Sequence, residues 1–165
     1  MKTILLVRHA KSSWDDFSLT DAERPLNERG KKNAPVMAER LIQKNINIDC
    51  FLSSPAVRAL STALLFAEVY KKNSSEIIIV PELYLANQAA FTQTIQNAPQ
   101  EAQSIALFSH NTGISEFANS LSSTHIDHVP TCGIFAVTCT IDSWKEFTQG
   151  NNLFYFFDYP KRYLQ

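Results

Sequence analysis

Two histidines and two arginines occupy positions in this sequence from which their side chains can meet. His9 and His110 each come directly after a short apolar run, Arg8 adjoins the first histidine, and Arg58 lies near the start of a helical pattern. Ligands of open α/β sheets bind outside the carboxyl ends of the strands, so we expect these side chains to converge at one edge of a sheet. Guanidinium groups bind phosphate oxygens in pairs, and an imidazole among them can be a nucleophile. The pattern predicts an anion site with a nucleophile at its centre.

The elements that must position these side chains alternate along the chain. Short apolar runs are separated by longer segments of helical periodicity, which is typical of a three-layer α/β fold with a mostly parallel central sheet and helices on both faces. The predicted strands cover residues 3–7, 49–53, 77–80, 104–109, 133–141 and 152–157. The predicted helices cover residues 27–43, 54–70, 91–97 and 114–121.

Two prolines bear on where the helices begin. Asn27 is suited to cap the first helix, but Pro35 follows inside it and is expected either to kink that helix or to mark a later start near residue 34. Pro55 is expected in the first turn of the second helix, where its missing N–H does no harm.

The composition favours a globular protein without nucleic acid or membrane partners. The chain has 165 residues, 45% hydrophobic and 19% charged, which suits one domain over residues 1–165. A net charge of −1 gives no reason to expect nucleic acid or an anionic membrane as a partner. No apolar run is long enough for a signal peptide or a membrane span. Cys50, Cys132 and Cys139 cannot all pair within one chain, so we expect reduced core cysteines in a cytoplasmic protein that is a monomer.

Five segments in order along the chain resemble one family. Leu6–Ala10 resembles its RHG or RHA signature, Arg24–Gly30 its RPLTxxG segment, and Ser53–Ala63 its SSPxxRAxxTA segment. Ser109–Asn111 is similar to the second-histidine motif, and Thr131–Gly133 to a turn of small residues before a late strand. This family is the histidine phosphatase superfamily, also called phosphoglycerate mutase-like. In its small size and its Glu23–Gly30 segment (ERPLNERG) the chain resembles the SixA-type phosphohistidine phosphatase branch of this family.

The resemblance implies a mechanism for the four central residues. His9 is then the nucleophile that becomes phosphohistidine, Arg8 and Arg58 bind the phosphoryl oxygens, and His110 adds a charge-assisted hydrogen bond. Phosphoryl transfer depends on positioning and charge neutralisation. The guanidinium and imidazole groups supply both, so no metal and no other cofactor is expected. A water molecule must then hydrolyse the phosphoenzyme.

Two further residues take roles from the same resemblance. Arg24 is expected to be an additional phosphate clamp, although Glu23 and Glu28 are alternative partners that would make it a structural residue. Asn111, directly after the second histidine, is expected to shape the rim of the site and contact the phosphate.

The general acid of many family members has no clear counterpart here. Its usual position falls near Leu85, and Glu82 is the nearest carboxyl group that can donate a proton. An alkoxide leaving group needs such help, typically 10²–10⁴-fold in rate, whereas the weaker P–N bond of phosphohistidine needs it less. We therefore expect a phosphohistidine-carrying protein as the substrate, for example a histidine phosphotransfer domain. The alternatives are a broad phosphomonoesterase acting on a small metabolite and a phosphate-binding module without turnover.

Two other segments have an interpretation of their own. His125–His128 contains two histidines and an aspartate, which suggests a metal site, but the polar surroundings favour a rim loop, and the sequence leaves the roles of His125 and His128 open. The aromatic segment Phe154–Tyr159 is expected to be part core and part sheet edge, with a dimer interface as the alternative.

Overall fold

The structure, a computed structural model, describes residues 1–163. Residues 164 and 165, which the one-domain prediction includes, lie outside the described residues. The strands are β1 (Lys2–Arg8), β2 (Cys50–Ser53), β3 (Ile77–Ile79), β4 (Ser104–Ser109), β5 (Ile134–Cys139) and β6 (Leu153–Asp158). The α-helices are α1 (Glu28–Gln43), α2 (Val57–Val69), α3 (Gln88–Gln96) and α4 (Gly113–Leu121).

The six strands form one mixed sheet in the order β3-β2-β4-β1-β5-β6. The first four strands of this order pair in parallel, and β5 runs antiparallel to both β1 and β6. Helices α1 and α2 cover one face, where Leu5 and Val7 point, while α3 and α4 cover the other, where Ile4 and Leu6 point. The mostly parallel sheet and the two helical layers predicted from the sequence are confirmed.

Helix α1 begins where its cap predicts and continues through its proline. The Asn27 side chain accepts a hydrogen bond from the backbone N–H of Gly30 at 2.8 Å, which satisfies one of the free donors of the first turn. Pro35 lies inside the helix without ending it. The alternative of a later start near residue 34 is therefore wrong.

Helix α2 begins later than expected, at Val57. The backbone N–H of Ser54 bonds to the carbonyl of Phe108 at 3.0 Å, so the ladder between β2 and β4 extends past the end of the strand. Pro55 therefore precedes the helix and does not lie in its first turn. Helix α3 begins earlier than predicted, at Gln88 and not at residue 91. The side chain of Asn87 caps it by accepting a hydrogen bond from the backbone N–H of Ala90.

The aromatic C-terminal strand is part core and part sheet edge, as predicted. β6 is the outermost strand beside β5. Phe156 and Phe157 pack against the cores on opposite faces of the sheet, whereas Phe154 is 37% exposed and Tyr155 is 49% exposed. All three cysteines are buried free thiols, which confirms their assignment to the core. Within residues 1–163 no helix has the length and apolar character that crossing a bilayer requires.

A close contact ties α1 to the segment that follows β1. The backbone N–H of Asn27 donates to the carbonyl of Lys11 at 2.9 Å, and that of Ser13 donates to the carbonyl of Pro25 at 2.8 Å. Gly30 packs directly against the Lys11 backbone, and a Cβ at this position would clash with the Lys11 carbonyl oxygen. The helix can approach this closely only because residue 30 is glycine.

We expect Gly30→Ala to lower the free energy of unfolding by about 1–3 kcal/mol, because the added methyl group must push α1 away from the rigid Lys11 backbone. Urea denaturation measures the change. Lys32→Ala, an exposed position on the same helix, is the matched control and should change stability by less than about 0.5 kcal/mol. Equal stability of Gly30→Ala and the wild type would contradict the close contact.

Candidate active site

The parallel pairing of β1 and β4 brings the two histidines together. Arg8 is in register with Ser109, so His9 and His110 follow their strands at the same edge of the sheet. Their ring centroids lie 5.2 Å apart, with planes tilted by 51°. Both residues are buried, with 7% of His9 and 3% of His110 exposed. The sheet therefore places two imidazoles side by side, as the sequence predicts.

The hydrogen bonds of His9 indicate which ring nitrogen can react. Nδ1 lies 2.7 Å from the carbonyl oxygen of Ala10, which can only accept, so Nδ1 carries the proton. The lone pair is then on Nε2, which receives a hydrogen bond from Nε of Arg58 at 3.3 Å. In this tautomer His9 directs a nucleophilic nitrogen at a guanidinium group.

The surroundings of His9 also keep it neutral. Together the surroundings lower its pKa to about 4, and burial is the largest cause. The nearby guanidinium groups of Arg58, Arg8 and Arg24 contribute to the shift, whereas the hydrogen bond to the Ala10 carbonyl opposes it. The sign follows from the charge, since burial and cations both disfavour the imidazolium. At neutral pH the ring is therefore uncharged and its Nε2 lone pair is available.

Arg58 is held in place by the first turn of α2. Its NH1 donates to the Asp21 carbonyl at 2.7 Å and its NH2 to Asp21 Oδ2 at 3.0 Å. Thr62, one turn later, donates its hydroxyl to the Arg58 carbonyl at 2.7 Å and accepts from the backbone N–H of Ala10 at 2.9 Å. This threonine joins the helix that carries the arginine to the residue that follows the histidine.

Arg8, directly before His9 in the chain, is fixed by a carbonyl group. Its NH1 donates to Val129 O at 3.0 Å, and its Nε is buried without a hydrogen-bond partner among residues 1–163. Asn111 donates to the same Val129 carbonyl at 3.1 Å and accepts from the Ser115 hydroxyl at 2.5 Å. Asn111 is thus engaged in holding the loop at Val129, and its side-chain hydrogen bonds go to Val129 and Ser115.

His110 has one occupied and one free ring nitrogen. Nε2 lies 2.8 Å from the Ser54 hydroxyl, whereas Nδ1 is buried with no partner among the described residues. Burial is the largest cause that lowers the pKa of His110 to about 3, and the neighbouring His9 and Arg58 contribute to this shift. A buried polar atom is rarely left unpaired. The free Nδ1 of His110 and the free Nε of Arg8 therefore fit a site that pairs with the oxygens of an anion.

Arg24 reaches the same cluster from the segment that packs on Lys11. Its Nε donates to Ser13 O at 3.2 Å, its NH2 to the Ser12 hydroxyl, and its NH1 to Asp21 Oδ1 at 3.1 Å. The indole of Trp14 stacks over its guanidinium, 3.3 Å from ring centroid to Cζ. The structure brings Arg24 next to the other arginines, with only 8% of the residue exposed.

Asp21 and Tyr84 complete the site, and the sequence did not point to them. The Asp21 carboxylate bonds Arg24 and Arg58 and accepts from the Tyr84 hydroxyl at 2.5 Å. The Tyr84 hydrogen bond is the largest cause that lowers the pKa of Asp21 to about 2, and both arginines add to it. Tyr84 also stands edge-on to the His110 ring at 5.4 Å. In the sequence, the one signal for this ion pair is the spacing of three residues between Asp21 and Arg24, which allows their side chains to meet on one turn.

The other carboxylates considered from the sequence lie elsewhere. Glu23 accepts from Thr20, and Glu28 pairs with Lys31 at 3.6 Å, so neither is the partner of Arg24 and both alternatives are wrong. Glu82 is exposed on the short 3₁₀ turn Pro81–Leu83 and borders a separate groove.

The histidines of the rim loop form none of the hydrogen bonds described above for the cluster. His125 is exposed, and His128 lies 3.3 Å from the carboxylate of Asp127. Across residues 1–163 no three side chains of His, Cys, Asp or Glu converge in a way that can hold a metal ion. The segment is an exposed loop.

The arrangement combines a neutral nucleophile with an excess of positive charge. Three guanidinium groups surround His9, and one of them, that of Arg58, donates to it. Among the described residues, Asp21 is the carboxylate that accepts hydrogen bonds from these guanidinium groups. A dianion such as a phosphoryl group is the natural ligand of such a cluster, and preorganised cations stabilise the charge of its transfer. The site can therefore bind a phosphoryl group and accept it on Nε2 of His9.

We expect ¹⁵N NMR of the free protein to show a neutral His9 ring with its proton on Nδ1 at pH 7, and a titration midpoint near pH 4. As the pH falls through that value, the ring takes a second proton and loses the Nε2 lone pair. His9→Gln assigns the resonances. A midpoint near 6.5, the value of an unperturbed histidine, would contradict the electrostatic account.

The amino-acid sequence is similar to those of known proteins. Residues 4–84 match the sequence profile of the Histidine phosphatase superfamily (branch 1). A chloroplastic protein of Arabidopsis thaliana, itself uncharacterised, is 30% identical over 153 residues, which are 88% of this chain and 70% of that protein. Phosphoserine phosphatase 1 of Hydrogenobacter thermophilus is 40% identical over 72 residues, which are 41% of this chain and 32% of that enzyme. The chain thus spans only about a third of the second relative.

The fold is similar to that of solved structures over nearly its whole length. The protein histidine phosphatase SixA, solved in complex with tungstate, superposes with a TM-score of 0.81 at 22% identity, covering 96% of this chain and 97% of that one. At this identity the likeness concerns the fold alone. With the profile match, the relatives and the phosphoglycerate mutase-like fold, the chain belongs to the histidine phosphatase superfamily.

Proposed function

We propose that the chain is a metal-independent phosphatase, one domain over residues 1–165, that removes the phosphoryl group from phosphohistidine on another protein. The observation that carries the proposal is the state of His9, whose buried ring is neutral and directs its unprotonated Nε2 toward Arg58. A neutral imidazole beside a guanidinium is prepared to attack a phosphoryl group that the guanidinium holds.

In the first step the phosphoryl group binds among the cations. The guanidinium groups of Arg58, Arg8 and Arg24, which act on His9 electrostatically, neutralise the oxygens of the phosphoryl group. The buried Nδ1 of His110, which the described residues leave unpaired, forms a further hydrogen bond to it. Nε2 of His9 forms a bond to phosphorus as the bond from phosphorus to the leaving nitrogen breaks. The positive charge that appears on the His9 ring is stabilised by the Nδ1–H bond to the Ala10 carbonyl at 2.7 Å.

In the second step a water molecule attacks the phosphorus of the phosphoenzyme. The P–Nε2 bond breaks, its electron pair returns to His9, and inorganic phosphate leaves. The same arginines balance the charge in both steps, so the site needs no metal ion. Asn111 shapes the rim of the site in this scheme and also positions Val129, to which Arg8 donates.

The preference for a nitrogen leaving group follows from the proton donors that the site lacks. Glu82 lies outside the cluster, and Asp21 is a carboxylate because its pKa is about 2. An alkoxide leaving group needs a proton, whereas a phosphoramidate leaves more easily. The fold likeness to a protein histidine phosphatase and the free, buried cysteines, which fit the reducing cytoplasm, support the same assignment. We take the enzyme to act as a monomer on its protein partner.

A small phosphate monoester is the alternative substrate. Phosphoserine phosphatase 1 and a 2,3-bisphosphoglycerate-dependent phosphoglycerate mutase are similar to this chain over 72 and 67 residues. The family profile, which spans residues 4–84, holds His9, Arg58 and Tyr84 and ends before His110. Rates on the two substrate classes separate the alternatives.

His9→Ala should lower the rate on a phosphohistidine protein by at least about 10³-fold, because the covalent intermediate cannot form. The assay compares a chemically phosphorylated histidine phosphotransfer domain with p-nitrophenyl phosphate in the presence of EDTA. His125→Ala, an exposed histidine outside the cluster, is the matched control and should keep wild-type rates on both substrates.

Each other outcome removes part of the proposal. Faster turnover of the ester than of the phosphohistidine protein would favour the small-metabolite alternative. Full activity of His9→Ala would exclude the covalent mechanism. Binding of tungstate by a wild-type protein that turns over neither substrate would leave a phosphate-binding module.

A further inference from the structure

Asp21 is the most exposed member of the ion-pair cluster that it forms with Arg24 and Arg58. Its side chain is 48% exposed, whereas the side chains of Arg58 and Arg24 are 6% and 10% exposed. Oδ1 accepts from Arg24, and Oδ2 accepts from Arg58 and Tyr84. The carboxylate is therefore fixed beside the guanidinium group that contacts Nε2 of His9, and it is open to a group attached to a bound phosphoryl.

A fixed carboxylate beside a phosphate pocket is unfavourable for most substrates. Like charges at close range repel, so Asp21 weakens the binding of a phosphoryl group whose leaving group is neutral or negative. A substrate that brings a positive charge next to its phosphoryl group replaces this repulsion with attraction. Phosphohistidine is such a substrate, because the ring nitrogen that does not bear phosphorus can take a proton near neutral pH.

We propose that Asp21 is a specificity-determining residue that accepts the N–H of the protonated imidazole of a phosphohistidine substrate. The inference rests on the proposed function and explains how the same site would reject phosphate esters. It assigns to Asp21 a contact with the leaving group in addition to its ion pairs with Arg24 and Arg58.

The bonds balance without a proton donor from the protein. When His9 Nε2 attacks, the P–N bond of the substrate breaks and its electron pair passes to the leaving nitrogen. The ring keeps the proton on its other nitrogen and departs as neutral imidazole. Asp21 stays a carboxylate throughout, in agreement with its pKa of about 2. An ester would need a proton on its leaving oxygen, which this carboxylate cannot give.

The charged groups around Asp21 do not titrate in the relevant range. Guanidinium groups in proteins are always protonated, and the hydrogen bond to Asp21 raises the pKa of Tyr84, so its hydroxyl stays protonated. His110, on the other side of Tyr84, is neutral because its pKa is about 3. Between pH 6 and pH 9 the substrate ring is then the group next to Asp21 whose charge changes. A nearby carboxylate raises the pKa of such a ring by about one unit or more.

The test is Asp21→Asn, which keeps the shape and removes the charge, with Glu23→Gln as the matched control. Glu23 lies on the same 3₁₀ turn and bonds only Thr20. The probes are the phosphorylated histidine phosphotransfer domain and p-nitrophenyl phosphate, each followed as kcat/KM from pH 6 to pH 9. Asp21→Ser is a second uncharged variant, and the thermal midpoint of each variant shows that it is folded.

We expect Asp21→Asn to lower kcat/KM for the phosphohistidine protein by about tenfold at pH 8 and less at pH 6, since the ring is protonated at the lower pH without help. Its alkaline limb should move to lower pH, and kcat/KM for p-nitrophenyl phosphate should fall much less than kcat/KM for the phosphohistidine protein, because the ester has no N–H for Asp21 to accept. Glu23→Gln should behave as the wild type on both substrates.

Two results would overturn the inference while leaving the proposed function intact. Equal losses on both substrates with an unmoved alkaline limb would mean that Asp21 only positions the arginines. Wild-type behaviour of both uncharged variants would give it no role. A wild-type protein that fails on the phosphohistidine substrate but hydrolyses the ester would instead overturn the proposed function, and this inference with it.

Discussion

The parallel pairing of β1 with β4 is the constraint on which the site depends. With Arg8 in register with Ser109, the chain leaves both strands at the same level of the sheet and directs His9 and His110 toward each other. Both strands are buried because helices cover both faces. Since a shift by one residue would turn every side chain of a strand to the opposite face, the two cores hold this register firmly.

Three guanidinium groups and two imidazoles in one place have an electrostatic consequence. Desolvation and repulsion disfavour extra positive charge and lower the pKa values of His9 and His110 to about 4 and 3, so both rings are neutral. The same effects favour an anion as the ligand of the cluster. Asp21 compensates part of the charge, but its side chain is half exposed, whereas Arg24, Arg58 and both histidines are buried.

Two residues of the family motifs, Gly30 and Thr62, orient the site by packing and by hydrogen bonds to the backbone, and take no part in the reaction themselves. Gly30 allows α1 to pack on Lys11, and the same segment carries Arg24 into the site. Thr62 links the α2 backbone to Ala10, which fixes Arg58 relative to His9. The motifs are therefore recognisable because the site needs both the cations and the close packing that orients them.

The sequence by itself determined the strands, the helical layers and the positions of His9 and His110, because hydrophobic periodicity and burial are local in the chain. It also singled out Arg8, Arg24 and Arg58, since their motifs are short and ordered. Only the tertiary structure decided which carboxylate meets the arginines. Asp21 and Tyr84 lie 63 residues apart in the chain and meet through one hydrogen bond, and no local pattern encodes a contact that the packing of separate elements creates. For the same reason Glu82, although close to Tyr84 in sequence, faces a different groove.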